Sequence, residues 1–472
     1  MTEPRAPSGY AWRVTRGARS LAIETLGDTL DLSAWSRAGA PARVETTIRP
    51  PGSKSLTNRA MLLAMLGPGV SVLRHALVDA DDAMRMRDAI GRLGAVVEHA
   101  DDESVRVRGV NARPRVDPGR DTLDLGNAGT ATRFLAASCV LADRPVTITG
   151  SARMRQRPIG ELTGLLERLG CAVAHEGAPG CVPIRITPPA TPPGGMTLEI
   201  PPTQSSQFVS ALLLVAPFLD GGLTLSMAGG VTSASYVRMT IALLDRLGVR
   251  VQHSEDMHHV RVSGGIDPFD LEIEPDASGA TYWWSAGALM PGSTVRVAGF
   301  GDDPLQGDAR FPELLGRMGC AVEQGAGGIA CRGIATPEPI MCDMRDMPDA
   351  VMSLASVACF ARGTTVVRGV KTLRVKECDR IRAMRLELAK IGVAVQENLN
   401  GDEDALSITP PESGVDVSPD APPVAFDTYD DHRMAMSLAL IALRRPNVTI
   451  NDPACVEKTY PQFWEHFARL RG

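Results

Sequence analysis

Glu45-Thr46-Thr47-Ile48-Arg49-Pro50-Pro51-Gly52-Ser53-Lys54-Ser55-Leu56-Thr57-Asn58-Arg59-Ala60 runs from a β-branched, extended segment through a small-residue loop into an apolar helix ending near Leu66. Such a junction matters because a helix N-terminus presents free backbone N–H groups and the positive end of the helix dipole, a natural seat for phosphate or carboxylate. Lys54 opens this helix, and Arg59 follows Ser55 by four positions, on the same face. Alone, the loop is a weak signal. A nucleotide P-loop requires G-x-x-x-x-G-K-[ST], and Gly52-Ser53-Lys54-Ser55 has only its last part.

Outward from this stretch the same grammar recurs. Extended segments at 122–125, 197–200, 271–274, 340–343 and 424–427 lead into helices expected over 126–141, 204–219, 276–289, 348–360 and 431–443. The junction residues Lys54, Gly129, Ser206, Ser278, Asp349 and Asp431 stand roughly 70–80 residues apart. Between them a second helix ends in a repeated phrase: Arg92-Leu93-Gly94, Arg168-Leu169-Gly170, Arg246-Leu247-Gly248, Arg317-Met318-Gly319 and Lys390-Ile391-Gly392. In each, the glycine reads as a helix C-cap and the alternating apolar residues after it as a new strand. The expected unit is therefore βαβαββ, written six times, which places the chain in the α/β class. Pro- and Gly-rich stretches at 188–195, 325–328 and 411–423 read as surface connections between strands.

At 472 residues the chain is too long for one ordinary core. Hydrophobic residues make up 44% and aromatics only 4%, and the net charge of −6 leaves no footprint for nucleic acid or a membrane surface. Cations that serve an anionic ligand must then be gathered locally. The nine cysteines lack metal-ligand or disulfide-framework spacing, so no metal and a reducing, cytoplasmic setting are expected. No apolar run is long enough to span a bilayer. The first 42 residues contain Glu3, Glu24, Asp28 and Asp31 among their arginines, making a poor transit peptide. They read as an extension of unknown role, with a short strand or hairpin around residues 11–32.

The other junctions carry chemistry of the same kind. Gly126-Asn127-Ala128-Gly129-Thr130 lets a ligand approach backbone amides closely, or else is simply a capped helix start. Gln204-Ser205-Ser206-Gln207 offers more hydrogen-bonding side chains than capping requires. Arg153-Met154-Arg155-Gln156-Arg157 supplies three arginines, one or two of which fit equally well as solvated surface charges. The run Arg374-Val375-Lys376-Glu377-Cys378-Asp379-Arg380 is, on its own, most simply a solvated face. Asp431-His432-Arg433 puts a cation at a helix start, where the dipole disfavours it unless an anion sits above. Lys54, Arg59, Arg155, Lys376, Arg380, Arg433 and Lys458 converge on equivalent edges of repeated units, which points to small molecules with more than one anionic group. Asp349 and Glu377 lie among those cations, as proton-transfer groups would.

Taken together, Pro51-Gly52-Ser53-Lys54-Ser55-Leu56-Thr57-Asn58-Arg59-Ala60, Leu125-Gly126-Asn127-Ala128-Gly129-Thr130-Ala131, Arg153-Met154-Arg155-Gln156-Arg157-Pro158-Ile159-Gly160, Ser205-Ser206-Gln207-Phe208 and Pro348-Asp349-Ala350 resemble the 5-enolpyruvylshikimate-3-phosphate synthase family. So do Arg374 through Arg380, Asp431-His432-Arg433-Met434-Ala435-Met436 and Glu457-Lys458-Thr459-Tyr460-Pro461, in order from about Val44 to the C-terminus. The resemblance implies transfer of the enolpyruvyl group of phosphoenolpyruvate to the 5-hydroxyl of shikimate 3-phosphate, without cofactor or metal, by a monomer. It also implies two inside-out α/β barrel domains of three repeats each. One is expected over 52–269, the other over 1–51 plus 270–472, with the substrates in the cleft between them.

By the same resemblance, shikimate 3-phosphate meets Lys54, Ser55, Arg59, Ser205, Ser206, Gln207, Ser233, Tyr236, Asp349, Thr372 and Lys376. Phosphoenolpyruvate meets Lys54, Asn127, Gly129, Arg155, Gln207, Arg380, Arg433 and Lys458. Asp349 accepts the hydroxyl proton, while Glu377 and Lys54 handle protons at the methylene. Three departures stand out: Thr372 where the family often has Asn, Ser233-Ala234-Ser235-Tyr236 in place of Ser-x-Pro-Tyr, and Phe134 where Pro is frequent after Arg133. The competing readings are an enolpyruvyl transferase acting on a UDP-linked amino sugar, a non-catalytic anion-binding relative and a phosphoryl-transfer enzyme. Ser55 after Lys54, retention of the charged junction residues, and the lack of a full P-loop weigh against them in turn.

Overall fold

The six helices that follow the junction loops are apolar nearly all round, and a helix without a polar face has to be buried on every side. The computed structural model describes residues 27–33, 43–100, 104–227 and 229–471, and it buries them. Lys54–Leu66, Gly129–Ser138 and Ser206–Val215 pack on one another, while Ala277–Leu289 and His432–Ala439 both pack on Val351–Ala358. Gly129–Ser138 and Ala277–Leu289 have every residue buried. The second helices, such as Asp81–Arg92 and Ala234–Arg246, bury only one face. All five glycines of the repeated phrase take positive φ, between 78° and 97°, as helix C-caps require.

Sheets surround each helical centre, with one face on the helices and the other towards solvent, as in Thr122–Asp124 and Met196–Glu199. Each complete unit pairs its strands in one pattern. Thr122–Asp124 runs parallel to Val146–Thr149, which is antiparallel to Ile184–Thr187, which is antiparallel to Ala172–His175. Helices inside and sheets outside make two inside-out α/β barrels.

The leading strands of the first and fourth units are exchanged. Glu45–Ile48 pairs with Thr294–Val297, and Asp270–Glu272 pairs with Val70–Arg74. Where the two segments cross, Ser53 N donates to Glu274 O and Asp276 N to Pro51 O, each at 2.8 Å. A side chain on Gly52 would collide with the His75 carbonyl, so only glycine fits this crossing.

One apolar core accordingly runs from Leu56 to Ile273, and the other joins Leu32 and Ile48 to residues from Ala277 to Leu470. The expected boundary at residue 270 lies just upstream of the strand Asp270–Glu272, whose Leu271 and the following Ile273 pack in the first core.

The sixth unit differs from the expected pattern. After Val448–Asn451 it has a 3-10 turn, Pro453–Lys458, and a short helix, Phe463–Ala468, and no closing strand pair follows among the described residues. Its sheet is completed by Thr29–Asp31, antiparallel to Val448–Asn451, in the position the fourth strand holds elsewhere. The N-terminal extension thus supplies a strand that burial of Leu32 anchors. The rest of the hairpin expected around residues 11–32 lies outside the described residues.

Aromatic side chains, scarce in the chain, gather at its end. Trp283, Tyr460, Phe463, Trp464 and Phe467 meet ring to ring, with Tyr460 Oη accepting from Trp283 Nε1 at 3.0 Å. This cluster pins the turn that carries Lys458.

Candidate active site

Between the two cores lies a cleft whose lining includes seven cations, Lys54, Arg59, Arg133, Arg157, Lys376, Arg380 and Arg433, against three carboxylates, Asp82, Asp349 and Glu377. In a protein of net charge −6 this is the local concentration of positive charge that an anionic ligand needs.

Capped helix starts present its floor. Ser53 Oγ accepts from Leu56 N at 3.4 Å, Ser205 Oγ from Gln207 N at 3.3 Å, and Asp276 Oδ1 from Gly279 N at 2.7 Å. Lys54 bonds through its backbone N to Asp276 and sits 3.2 Å from buried Asp82. Ser233 adopts a left-handed φ of 49°, rare for a side chain with Cβ, and turns into the cleft ahead of the helix Ala234–Arg246.

On the side of the second core the charges interlock. Arg380 bonds Asp431 at 2.8 Å, Glu377 at 2.8 Å and Asp349 at 3.0 Å. Arg433 bonds Asp349 at 2.9 Å, Lys458 bonds Glu377 at 2.8 Å, and Lys376 is 3.8 Å from Asp349. Tyr236 reaches over from the first core to donate to Asp349 at 3.1 Å. Burial pushes the Asp349 carboxyl up, but Arg433, Lys376 and Arg380 outweigh it and hold it well below the ordinary carboxylate range. For Glu377, Lys458, Arg380 and Arg157 likewise overcome burial. Both are ionised. His432 is held neutral by burial and then by Arg433, and its two ring nitrogens lack hydrogen-bond partners.

Facing them, Arg59 gives its N–H groups to Thr240, Ser210 and the carbonyls of Ser55 and Tyr236, at 2.8–3.3 Å. Burial lowers its pKa to about 10. Arg133 and Arg157 lie close together over Gly129, where a Cβ would stand 2.7 Å from Arg157 and 2.8 Å from Arg133. Burial, then Arg157, pushes Arg133 well down. The Nε of each, and Thr372 Oγ1, are buried without partners. Buried donors without partners on residues that line a cleft mark where polar demand is unmet.

The structure thus brings together on the cleft lining Lys54, Ser55, Arg59, Gly129, Ser205, Ser206, Gln207, Ser233, Tyr236, Asp349, Thr372, Lys376, Glu377, Arg380 and Arg433. Lys458 stands behind Glu377. Asn127 is off the lining and accepts from Arg157 through both its carbonyl and Oδ1, at 3.3 and 3.4 Å.

Arg155 needs correction. It is exposed and turns back to Gly150 O, 3.1 Å away, and it is Arg157, two residues on, that enters the cleft. The 3-10 turn Met154–Gln156 sends the three arginines in different directions, which a linear triplet does not reveal. Arg133 and Asp82 were also missed. Arg133 had one signal, the basic residue inside an otherwise apolar helix; Asp82 read as an ordinary acidic helix start.

Among the described residues no group of three His, Cys, Asp or Glu side chains is arranged to hold a metal ion, and no helix is long and apolar enough to cross a membrane.

Residues 39–467 match the family described as EPSP synthase (3-phosphoshikimate 1-carboxyvinyltransferase). The chain is 40% identical to the 3-phosphoshikimate 1-carboxyvinyltransferase of Shewanella sediminis over 432 residues, spanning 91% of this chain and 97% of that one. The namesake from Laribacter hongkongensis is also 40% identical, over 91% of this chain and 98% of its own length. Among solved structures, the EPSP synthase of Acinetobacter baumannii superposes with a TM-score of 0.73 at 25% identity, covering 91% of this chain and 96% of that one. The enolpyruvyl transferase NikO of Streptomyces tendae shares the fold, with a TM-score of 0.70 at 20% identity, covering 91% and 95%.

Proposed function

We propose, from the premise that this chain belongs to the EPSP synthase family, that its reaction takes place in the cleft between the two cores. The reaction transfers the enolpyruvyl group of phosphoenolpyruvate to the 5-hydroxyl of shikimate 3-phosphate, with release of phosphate. The observation that carries the assignment is the excess of cations over carboxylates on the lining, contributed by both cores.

In this reading shikimate 3-phosphate lies against Lys54, Ser55, Arg59, Ser205, Ser206, Gln207, Ser233, Tyr236, Thr372 and Lys376, with its 5-hydroxyl towards Asp349. Phosphoenolpyruvate lies against Lys54, Gly129, Gln207, Arg380, Arg433 and Lys458, and Arg157 takes the part that Arg155 had in the sequence-based expectation; Asn127 supports it by orienting Arg157. Asp349 takes the hydroxyl proton as that oxygen bonds to C2 of the enolpyruvyl group. Glu377 and Lys54 deliver a proton to the methylene carbon and remove one again as phosphate leaves. The cations stabilise the charge on the tetrahedral intermediate's phosphate.

The ionised state of both acids in the free protein bears on timing. When anionic groups engage Arg433, Arg380 and Lys458, these cations pull less on Asp349 and Glu377, and both gain proton affinity when protons must move.

The two domains of this reading are residues 52 to about 274, and 1–51 with about 275 to 472; the two apolar cores support that division. The enzyme acts in the cytoplasm as a monomer. Its cysteines, free among the described residues, support the reducing setting.

The test is phosphate release by purified protein in a chelator-containing buffer, which should require both shikimate 3-phosphate and phosphoenolpyruvate. Release only with a UDP-linked amino sugar as acceptor, or only with added divalent metal, would overturn the reading.

A further inference from the structure

The two cores are joined covalently by only the exchanged segments at Pro51–Gly52 and Glu274–Pro275, and they meet otherwise through hydrogen bonds and ion pairs, with Leu305 of the second body packed on the first core. Polar contact between two bodies with separate cores makes relative motion the ordinary expectation, with the crossing segments as hinge. Tyr236 to Asp349 at 3.1 Å and Arg238 to Asp346 at 3.4 Å are two such links. A third is of another kind. Arg153, in the first body, donates from Nε to the carbonyl of Glu377 and from Nη2 to the carbonyl of Lys376, both at 2.8 Å. Its remaining nitrogen is steadied by Gln156 Oε1 at 3.3 Å.

Nε and Nη2 share one edge of the guanidinium, so the fork fixes two successive peptide units at once, which a single ammonium cannot do. These peptides belong to residues whose side chains both work in the cleft: Lys376 lies by Asp349, and Glu377 takes bonds from Lys458 and Arg380. They stand outside the helix Arg380–Ala389, beyond its Asp379 cap, so the helix does not fix them. The neighbouring arginines serve other ends, since Arg155 binds its own strand's end and Arg157 lines the cleft.

We propose that Arg153 is a latch: on closure of the two bodies its guanidinium grips the backbone of Lys376 and Glu377 and so sets the position of their side chains for the reaction. Arg153 touches no reacting atom in this account and is a positioning residue. The proposal rests on the cleft being the reaction site.

The test compares wild type with Arg153→Ala, Arg153→Lys and, as control, Arg155→Ala. It reads steady-state phosphate release with both substrates, thermal unfolding without them, and hydrogen exchange of the amides of residues 375–381 with and without both substrates. Loss of two bonds from a charged donor should lower kcat for Arg153→Ala about 30-fold, with Arg153→Lys recovering part of it and Arg155→Ala within about twofold of wild type. The slowing of exchange that substrates induce in wild type at 375–381 should vanish in Arg153→Ala, while its unliganded melting temperature stays within about 2 °C of wild type. If Arg153→Ala does not fold, Arg153→Lys carries the comparison, because it keeps the charge and loses the fork. A variant whose kcat stays within twofold, or whose substrate-induced protection survives, overturns the latch. Wild type that releases no phosphate from these substrates would instead overturn the assignment of the cleft.

Discussion

The two walls of the cleft are both rich in cations, but they neutralise them differently. On the wall from the first core, Lys54 meets Asp82 at 3.2 Å, but Arg59, Arg133 and Arg157 have no carboxylate at ion-pair distance among the described residues, and burial depresses Arg59 and Arg133. On the wall from the second core, Lys376, Arg380, Arg433 and Lys458 are each matched to Asp349, Glu377 or Asp431. A buried, under-neutralised cation is costly until an anion arrives, so the first wall stores its charge for ligand. A matched network holds geometry, so the second wall fixes the positions of Asp349 and Glu377, to which the proposed mechanism gives the proton transfers. The same residue types are left without carboxylates on one wall and locked to them on the other.

Four experiments break or sharpen this contrast. The largest effect should come from Arg380→Ala, which leaves Asp349, Glu377 and Asp431 buried without their shared partner. Stability should fall by about 3–5 kcal/mol in urea unfolding. A loss below 1 kcal/mol would mean that the second wall is not a structural network.

Glu377→Gln keeps the shape and removes the titrating group. Turnover should drop at least about 100-fold, the usual worth of proton transfer. Unchanged turnover removes Glu377 from the chemistry.

Arg157→Met tests the first wall. The apparent affinity for phosphoenolpyruvate should weaken about 30-fold, as for loss of a charge-assisted contact, while stability without ligand holds or rises because Arg133 loses a like-charged neighbour. Arg155→Met should leave both unaltered, and equal losses at the two positions would refute the assignment of Arg157.

The smallest effect concerns Asp308, buried beside Ser278 and raised to about 7 by burial and then by Asp349. A carboxyl raised on folding contributes stability below its unfolded pKa and loses it as pH rises through the folded value. Between pH 5 and 7 the native protein should therefore lose about 1–2 kcal/mol relative to Asp308→Asn. Parallel stability curves for the two proteins would show that Asp308 is ionised at neutral pH.

Much of this was legible in one dimension. The Ala- and Leu-rich helices, the Arg-Leu-Gly phrases and the alternating strands are local signals, and helix burial and glycine caps answered them directly. Serines 205 and 206 and Asp349 stood out because they sit at repeated junctions, whereas Glu377 and Arg380 lie in a charged run that only the family resemblance tied to the cleft; all five line it. What did not show was whatever depends on partners distant in sequence. The hydroxyl of Tyr236 and the carboxylate of Asp349 are 113 positions apart and 3.1 Å apart in space. The exchange of leading strands likewise has no local mark: the family resemblance, not composition, put residues 45–48 with the second domain, and the pairing of Asp270–Glu272 with the first was not anticipated.

By itself the sequence determined the repeating unit, the helix starts and the stock of cations gathered there, since periodicity, capping and charge are set by residues within a few turns of one another. Only the tertiary structure decided which cations meet carboxylates and which do not, and which of Arg153, Arg155 and Arg157 reaches the opposite body, folds back or lines the cleft. The reason is geometric: a guanidinium's role follows from the groups within about 3 Å of it, which for Arg153 come from the other side of the cleft, for Arg157 from Asn127 and for Arg155 from Gly150.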